Sequence, residues 1–190
     1  MAHDSSFSAA LSDLVRALEA EPWCIIGAQA AITYGATRAT QDIDLNVVAG
    51  KEQFARIYSL MQSAGFVPRI ADALLFAMQT RVLLLRHEAS QIDIDLVLAG
   101  PGLEAIFVER AVHCAMFGLS LPVLCVDDLV ACKIFAGRPQ DLADVREVLS
   151  RTAVDSERIC ATLRLLEQAL DRSDLVQVFL SMQATLARKS

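Results

Sequence analysis

Ile25-Ile26-Gly27-Ala28, followed after thirteen residues by Asp42-Ile43-Asp44-Leu45, is the most informative stretch of the chain. Over residues 41–48, Ile43, Leu45 and Val47 fall on one face and Asp42, Asp44 and Asn46 on the other, the period of two that marks a half-buried strand. Residues two apart on a strand project from the same face, so the Asp42 and Asp44 carboxylates meet at one point. Such a pair is either a solvated sheet face or a cation site, because carboxylates held together repel unless a cation neutralises them. Residues 91–98 repeat the pattern, with Ile92, Ile94 and Leu96 set against Gln91, Asp93, Asp95 and Val97. If the two strands are neighbours, Asp95 or Asp93 completes a three-carboxylate site, the arrangement that works with one or two Mg2+ ions in phosphoryl transfer. The second pair favours the cation. Gly27 closes one strand and opens a helix, a junction where backbone N–H groups can face a phosphate; a tight turn needing positive φ accounts for it equally well.

Outward from this stretch, Ser5 or Ser6 is expected to cap a first helix carrying Phe7, Leu11, Leu14, Val15 and Leu18 at helical spacing, with Glu21-Pro22 ending it. A short strand over residues 23–26 and a helix over 28–34 precede the acidic strand. Ala49-Gly50 then turns the chain into an amphipathic helix marked by Phe54, Ile57, Tyr58 and Met61 and closed at Gly65. Apolar runs at residues 73–78 and 81–86 read as short strands. A strand at 121–126 leads into a helix from Asp127, which Gly137-Arg138-Pro139 breaks, and a further helix runs over about residues 140–151. Beyond Val154 the pattern is purely helical: Ile159, Leu163, Leu166 and Leu170 form one stripe, and Leu175, Val178, Phe179, Met182 and Leu186 a second. Asp171-Arg172-Ser173-Asp174 joins them into a helical hairpin. The expected organisation is an α/β domain over residues 1–150 and a helical appendage over 151–190.

The 190 residues are 54% apolar and 21% charged, enough for a packed core and too apolar for compositional disorder. No apolar run approaches the roughly 20 residues of a membrane span. Met1-Ala2-His3-Asp4-Ser5-Ser6 has no basic stretch leading into an apolar one, so no signal peptide is expected and a cytoplasmic setting is. A net charge of −6 disfavours a protein that coats polyanions. The five cysteines lack close spacing and sit mostly among apolar neighbours, as in Trp23-Cys24-Ile25-Ile26, so they read as core residues in a reducing compartment. The three histidines share no ligand spacing, and His87, at a strand end, is expected to be exposed. Arg38, four residues before Asp42, either contacts a phosphate or makes an ordinary ion pair. Arg138 and Asp141, three apart at a helix start, either pair with each other while Asp141 and Asp144 cap the helix, or leave Arg138 and Lys133 to contact a phosphate.

The run Ile26-Gly27-Ala28, with Tyr34-Gly35, Arg38, Thr40 and Asp42-Ile43-Asp44-Leu45, resembles the opening motif of the minimal nucleotidyltransferases of the DNA-polymerase-β superfamily. Within it, the branch holding the AbiEii-type abortive-infection toxins is the most similar. A second piece, Asp127-Asp128-Leu129 and then Lys133-Ile134-Phe135-Ala136-Gly137-Arg138-Pro139-Gln140-Asp141-Leu142-Ala143-Asp144-Val145, is similar to the segment that follows the catalytic sheet in that branch. The resemblance implies an α/β (α+β) nucleotidyltransferase fold, a small twisted mixed sheet flanked by helices, with its site at one edge. It implies that Asp42 and Asp44 bind Mg2+ or Mn2+, that Asp95 is the third carboxylate with Asp93 as its substitute, and that Gly27, Ala28, Arg38, Lys133 and Arg138 face a nucleoside triphosphate such as ATP. The implied reaction moves a nucleoside monophosphate onto a hydroxyl of a tRNA, a protein or a small molecule. A toxin–antitoxin setting, with a cognate antitoxin or toxin protein as partner, comes with the same branch. One departure stands out: the loop that usually reads Gly-Ser or Gly-Gly is Gly27-Ala28, so a phosphate-binding hydroxyl is missing.

Three readings therefore compete. The first is a metal-dependent nucleotidyltransferase. The second, motivated by Ala28, is a nucleotide-binding or interaction module of the same fold without turnover. The third is an Asp-x-Asp phosphatase of the haloacid-dehalogenase type, which needs a doubly wound parallel sheet; strands at residues 73–98 joined without crossover helices argue against it.

Overall fold

The structure, a computed structural model, describes residues 2–188. The chain divides into two compact units. One comprises the chain up to Gln29 and Ala39–Leu124, the other Ala30–Arg38 and the chain from Cys125 onward.

The first unit is built on a seven-strand mixed sheet. Its elements are α1 (Ala2–Ala17), β1 (Trp23–Ile25), the start of α2 (Gly27–Thr33), β2 (Asp42–Val48), α3 (Phe54–Ser63), β3 (Phe66–Pro68), α4 (Ala73–Thr80), β4 (Val82–His87), β5 (Asp93–Ala99), α5 (Leu103–Glu109), β6 (Val112–Met116) and β7 (Leu119–Val123). The strand order is β3-β4-β5-β2-β1-β7-β6. β2 pairs in parallel with β5 and antiparallel with β1, while β4 lies antiparallel to β5. Period-two alternation does the sorting: Ile43, Leu45, Val47, Ile94, Leu96 and Leu98 are fully buried, whereas Asp42, Asp44, Asp93 and Asp95 lie half-buried on the other face. Phe7, Leu11 and Leu14 of α1, Leu18 in the turn after it, and Phe54, Ile57 and Met61 of α3 complete the core.

Several expectations are corrected here. Residues 73–78 form helix α4, not a strand. A short apolar run fits either element by periodicity, and Ala73, Leu74, Leu75 and Met78 are good helix formers. Asp72 (φ 52°) and Arg81 (φ 62°), both left-handed, bracket the helix. α1 starts at Ala2, ahead of the serines expected to cap it. His87 is buried, because it continues the inward alternation of Leu83 and Leu85 along β4. Its ring lies 4.9 Å from that of Phe66, and its two nitrogens bond Ser90 Oγ (2.7 Å) and Asp13 Oδ2 (3.0 Å). The sequence also left β3, α5 and β6 unassigned. The two edge strands are short, and β6 is exposed along most of its length, so its hydrophobic signal is weak.

The second unit is helical: α6 (Val126–Ala136), α7 (Pro139–Arg151), α8 (Ser156–Leu170) and α9 (Leu175–Ala187) pack together. Gly137 at φ 64° ends α6, and Pro139 at the first position starts α7. Asp155 caps α8 by accepting from the Arg158 N–H at 3.0 Å. The segment Ala30–Arg38 is held by Thr152 Oγ1, which donates to the Tyr34 carbonyl at 2.9 Å, and by Arg151, which donates to Thr37 Oγ1 at 2.7 Å. Ile159, Leu163, Leu175, Phe179 and Met182 carry the expected stripes, while Leu170 at the end of α8 is exposed. Among the described residues no helix is long and apolar enough to cross a membrane. Cys24, Cys125 and Cys160 are buried, and Cys114 and Cys132 are half-buried.

Candidate active site

The β2–β5 register brings the sequence's two carboxylate pairs together. Asp42 lies opposite Asp93 and Asp44 opposite Asp95. Parallel neighbours sit about 4.8 Å apart, so four carboxylates share one patch at the start of both strands. β5 and β2 are the third and fourth strands in order, so this patch lies mid-sheet rather than at the sheet edge that the resemblance implied. Its charges are unevenly handled. Arg86 donates from Nε to Asp93 at 2.6 Å and from Nη2 at 3.2 Å, while Arg69 donates to Asp93 at 2.9 Å and also bonds Asp95. The Arg86 hydrogen bond holds the Asp93 carboxyl below the usual carboxylate range. Asp95 goes the other way: burial pushes it up, and Arg69 opposes this while the charges of Asp42 and Asp93 add to it.

Two local devices fix the other pair. Thr40 Oγ1 donates to the Asp42 carboxylate. Gly27, at φ 64°, approaches Asp44 so closely that a Cβ there would fall 1.9 Å from Asp44 Oδ2. The Ile26 N–H donates to the Asp44 carbonyl at 2.9 Å, which locks the loop onto β2. Gly27 is therefore required by both its backbone angle and its contact. Ala28, next to it, is buried.

A divalent cation suits the donor set in kind, since hard carboxylate oxygens on a preorganised strand pair are what Mg2+ and Mn2+ take. As the side chains stand, however, no group of three acidic, histidine or cysteine side chains among the described residues is arranged to hold a metal ion. Arg69 supplies the positive charge at Asp95 instead.

The remaining candidates belong to the second unit, where they form a different cluster. Lys133, 6% exposed, donates to Asp144 at 2.8 Å and Asp141 at 3.3 Å, both buried. Arg138 pairs with Asp141 at 2.6 Å, one of the two alternatives its spacing allowed, and Arg38 reaches Asp144 at 3.2 Å. Burial alone would raise both carboxyls; the hydrogen bonds and charge of Lys133, with Arg138 at Asp141 and Gln140 and Arg38 at Asp144, hold them below the ordinary range. Cys125, by contrast, is pushed up to about 11 by burial and by Asp128, which leaves it an inert thiol.

Arg69, Arg86 and Thr40 were given no role by sequence reasoning. Arg69 lies 26 residues from Asp95, and no local pattern announces that contact. A cavity of about 680 Å3 lined by Trp23, Val48, Val108 and Pro122 lies at the far ends of β1 and β2 from these carboxylates and gathers none of the candidate residues.

Comparison with known structures defines the class first. The chain resembles the antibiotic-resistance factor ANT(2'')-Ia in its solution structure, at 16% identity over 98% of this chain and 94% of that one, with a TM-score of 0.52. It likewise resembles an antigenic nucleotidyltransferase-like protein from Paracoccidioides brasiliensis, at 16% identity over 93% and 91% of the chains, TM-score 0.55. These likenesses show a nucleotidyltransferase-type fold. Residues 9–187 then match the family described as nucleotidyl transferase AbiEii toxin, type IV TA system, and the chain belongs to that family. No curated protein sequence matches the chain.

Proposed function

We propose that this protein moves a nucleoside monophosphate from a nucleoside triphosphate to an acceptor hydroxyl, on a site formed by Asp42, Asp44 and Asp95. The observation that carries the reading is the register of β2 and β5, which stacks two Asp-x-Asp pairs onto one face. Mg2+ or Mn2+ held by these carboxylates would neutralise the triphosphate and the acceptor oxygen. Thr40 orients Asp42, and Gly27 leaves room for Asp44 to sit against the loop. Asp95, whose carboxyl is raised by burial, is suited to accept the acceptor's proton. Asp93, committed to two guanidinium groups, is the weaker choice for third ligand. The backbone N–H groups after Gly27 are assigned to the phosphates. Family membership supports a toxin–antitoxin role with an antitoxin partner, and a nucleotide substrate supports a cytoplasmic setting.

A second reading, nucleotide or partner binding without transfer, draws on Ala28, which supplies no hydroxyl to a phosphate. One experiment separates the two. The full chain is incubated with Mg2+ or Mn2+, each α-labelled nucleoside triphosphate in turn, and RNA, protein extract or small hydroxylated acceptors, with Asp44→Asn alongside. Label transferred by the native chain alone supports the enzyme and names its base and acceptor class. Metal-dependent binding without transfer supports the second reading, and equal transfer by Asp44→Asn would sink the site.

A further inference from the structure

We infer that Arg69 is a built-in counter-cation of the acidic patch, a latch that holds Asp95 away from Asp42 and Asp44 until a divalent ion displaces it. The inference rests on the three-carboxylate reading above and deepens it. Backbone register places Asp44 directly opposite Asp95, yet no three acidic side chains among the described residues come together as metal ligands. On the β5 side the carboxylates are held by Arg69. Its fork spans Asp93, at 2.9 Å, and Asp95.

Three features make this contact a reversible latch rather than a permanent strut. The Arg69 Nε is buried without a hydrogen-bond partner, so the guanidinium is not fully satisfied where it sits. Asp93 keeps a second guanidinium, Arg86 at 2.6 Å, so withdrawal of Arg69 frees Asp95 for a cation while Asp93 stays paired. Arg69 also stands just beyond the edge strand β3, its backbone N–H fixed to the Leu84 carbonyl at 3.0 Å and its side chain 24% exposed, so the head group has a route to solvent while the backbone stays put. A guanidinium and a divalent cation at one carboxylate repel, so each weakens the other's hold on Asp95.

The test is Mn2+ titration of the full chain followed by electron paramagnetic resonance of the free ion, which reads binding without turnover. Arg69→Gln is expected to bind Mn2+ about tenfold more tightly than the native chain. Arg69→Lys keeps the charge but not the fork, and its affinity is expected to fall between the two. In an Asp95→Asn background the Arg69→Gln gain should vanish, because the latch acts through that carboxylate. Unchanged or weaker Mn2+ binding by Arg69→Gln and Arg69→Lys, both with native-like thermal unfolding, overturns the latch and makes Arg69 a support of Asp95. Native-strength Mn2+ binding by Asp44→Asn would instead overturn the three-carboxylate reading itself, whatever Arg69 does.

Discussion

Two charged clusters, one in each unit, solve the same electrostatic problem in opposite ways. In the helical unit Lys133, Arg138 and Arg38 face Asp141 and Asp144, three cations against two carboxylates, and both carboxylates are buried and held below the ordinary range. In the sheet unit Arg69 and Arg86 pair with Asp93 and Asp95, and burial raises the Asp95 carboxyl. The first cluster closes on itself. The second gathers four carboxylates of two neighbouring strands on one half-buried face. Within the sheet cluster the two carboxyls of β5 shift apart, Asp93 down through Arg86 and Asp95 up through burial.

The largest expected effect breaks the closed cluster. Lys133→Met leaves two buried carboxylates short of a cation and should cost about 3 kcal/mol of unfolding free energy, measured by urea denaturation. Asp42→Asn in the open cluster should change that free energy far less. The same contrast sets the acid response. Asp141 and Asp144 are depressed in the folded state, so their stabilisation is full above the ordinary carboxylate pKa of about 4 and is lost as the pH falls through their lowered values. Thermal unfolding followed from pH 6 to pH 2.5 should show this loss in the native chain and much less of it in Asp144→Asn, whose starting stability is lower.

Gly27→Ala is the next step down. The substitution forces a Cβ against Asp44 at a left-handed backbone position, and about 2 kcal/mol of stability should go with it, along with metal-dependent transfer. Thr40→Val is the mildest. It removes one hydrogen bond to Asp42, worth about 1 kcal/mol, and should slow transfer several-fold with little change in melting temperature.

How far the sequence foretold these clusters depended on whether the contact was local. The Asp42 and Asp44 pair and the alternation of β2 and β5 were legible because a strand's period is written into adjacent residues. Arg138 with Asp141, three apart on a helix, was legible as one of two alternatives for the same reason. Arg69 with Asp95 was not, since nothing near either residue encodes a contact across β4. Lys133 was read as a phosphate ligand, and only the folded helices show the two buried carboxylates that hold it. The helix at residues 73–80 is hidden in the sequence because its six-residue apolar run carries too few turns to declare its period, and the burial of His87 because β4 extends one residue past the strand expected over 81–86.

The central claim is that the sheet cluster, unlike the helical one, is completed by a divalent cation. Its most direct test is thermal unfolding of the native chain, Asp42→Asn and Asp44→Asn with and without saturating Mg2+ or Mn2+. Ligand at 100 times its dissociation constant adds about 2.7 kcal/mol, so the native melting temperature should rise by several degrees and neither variant's should. An equal rise in all three, or none in the native chain, would contradict the account.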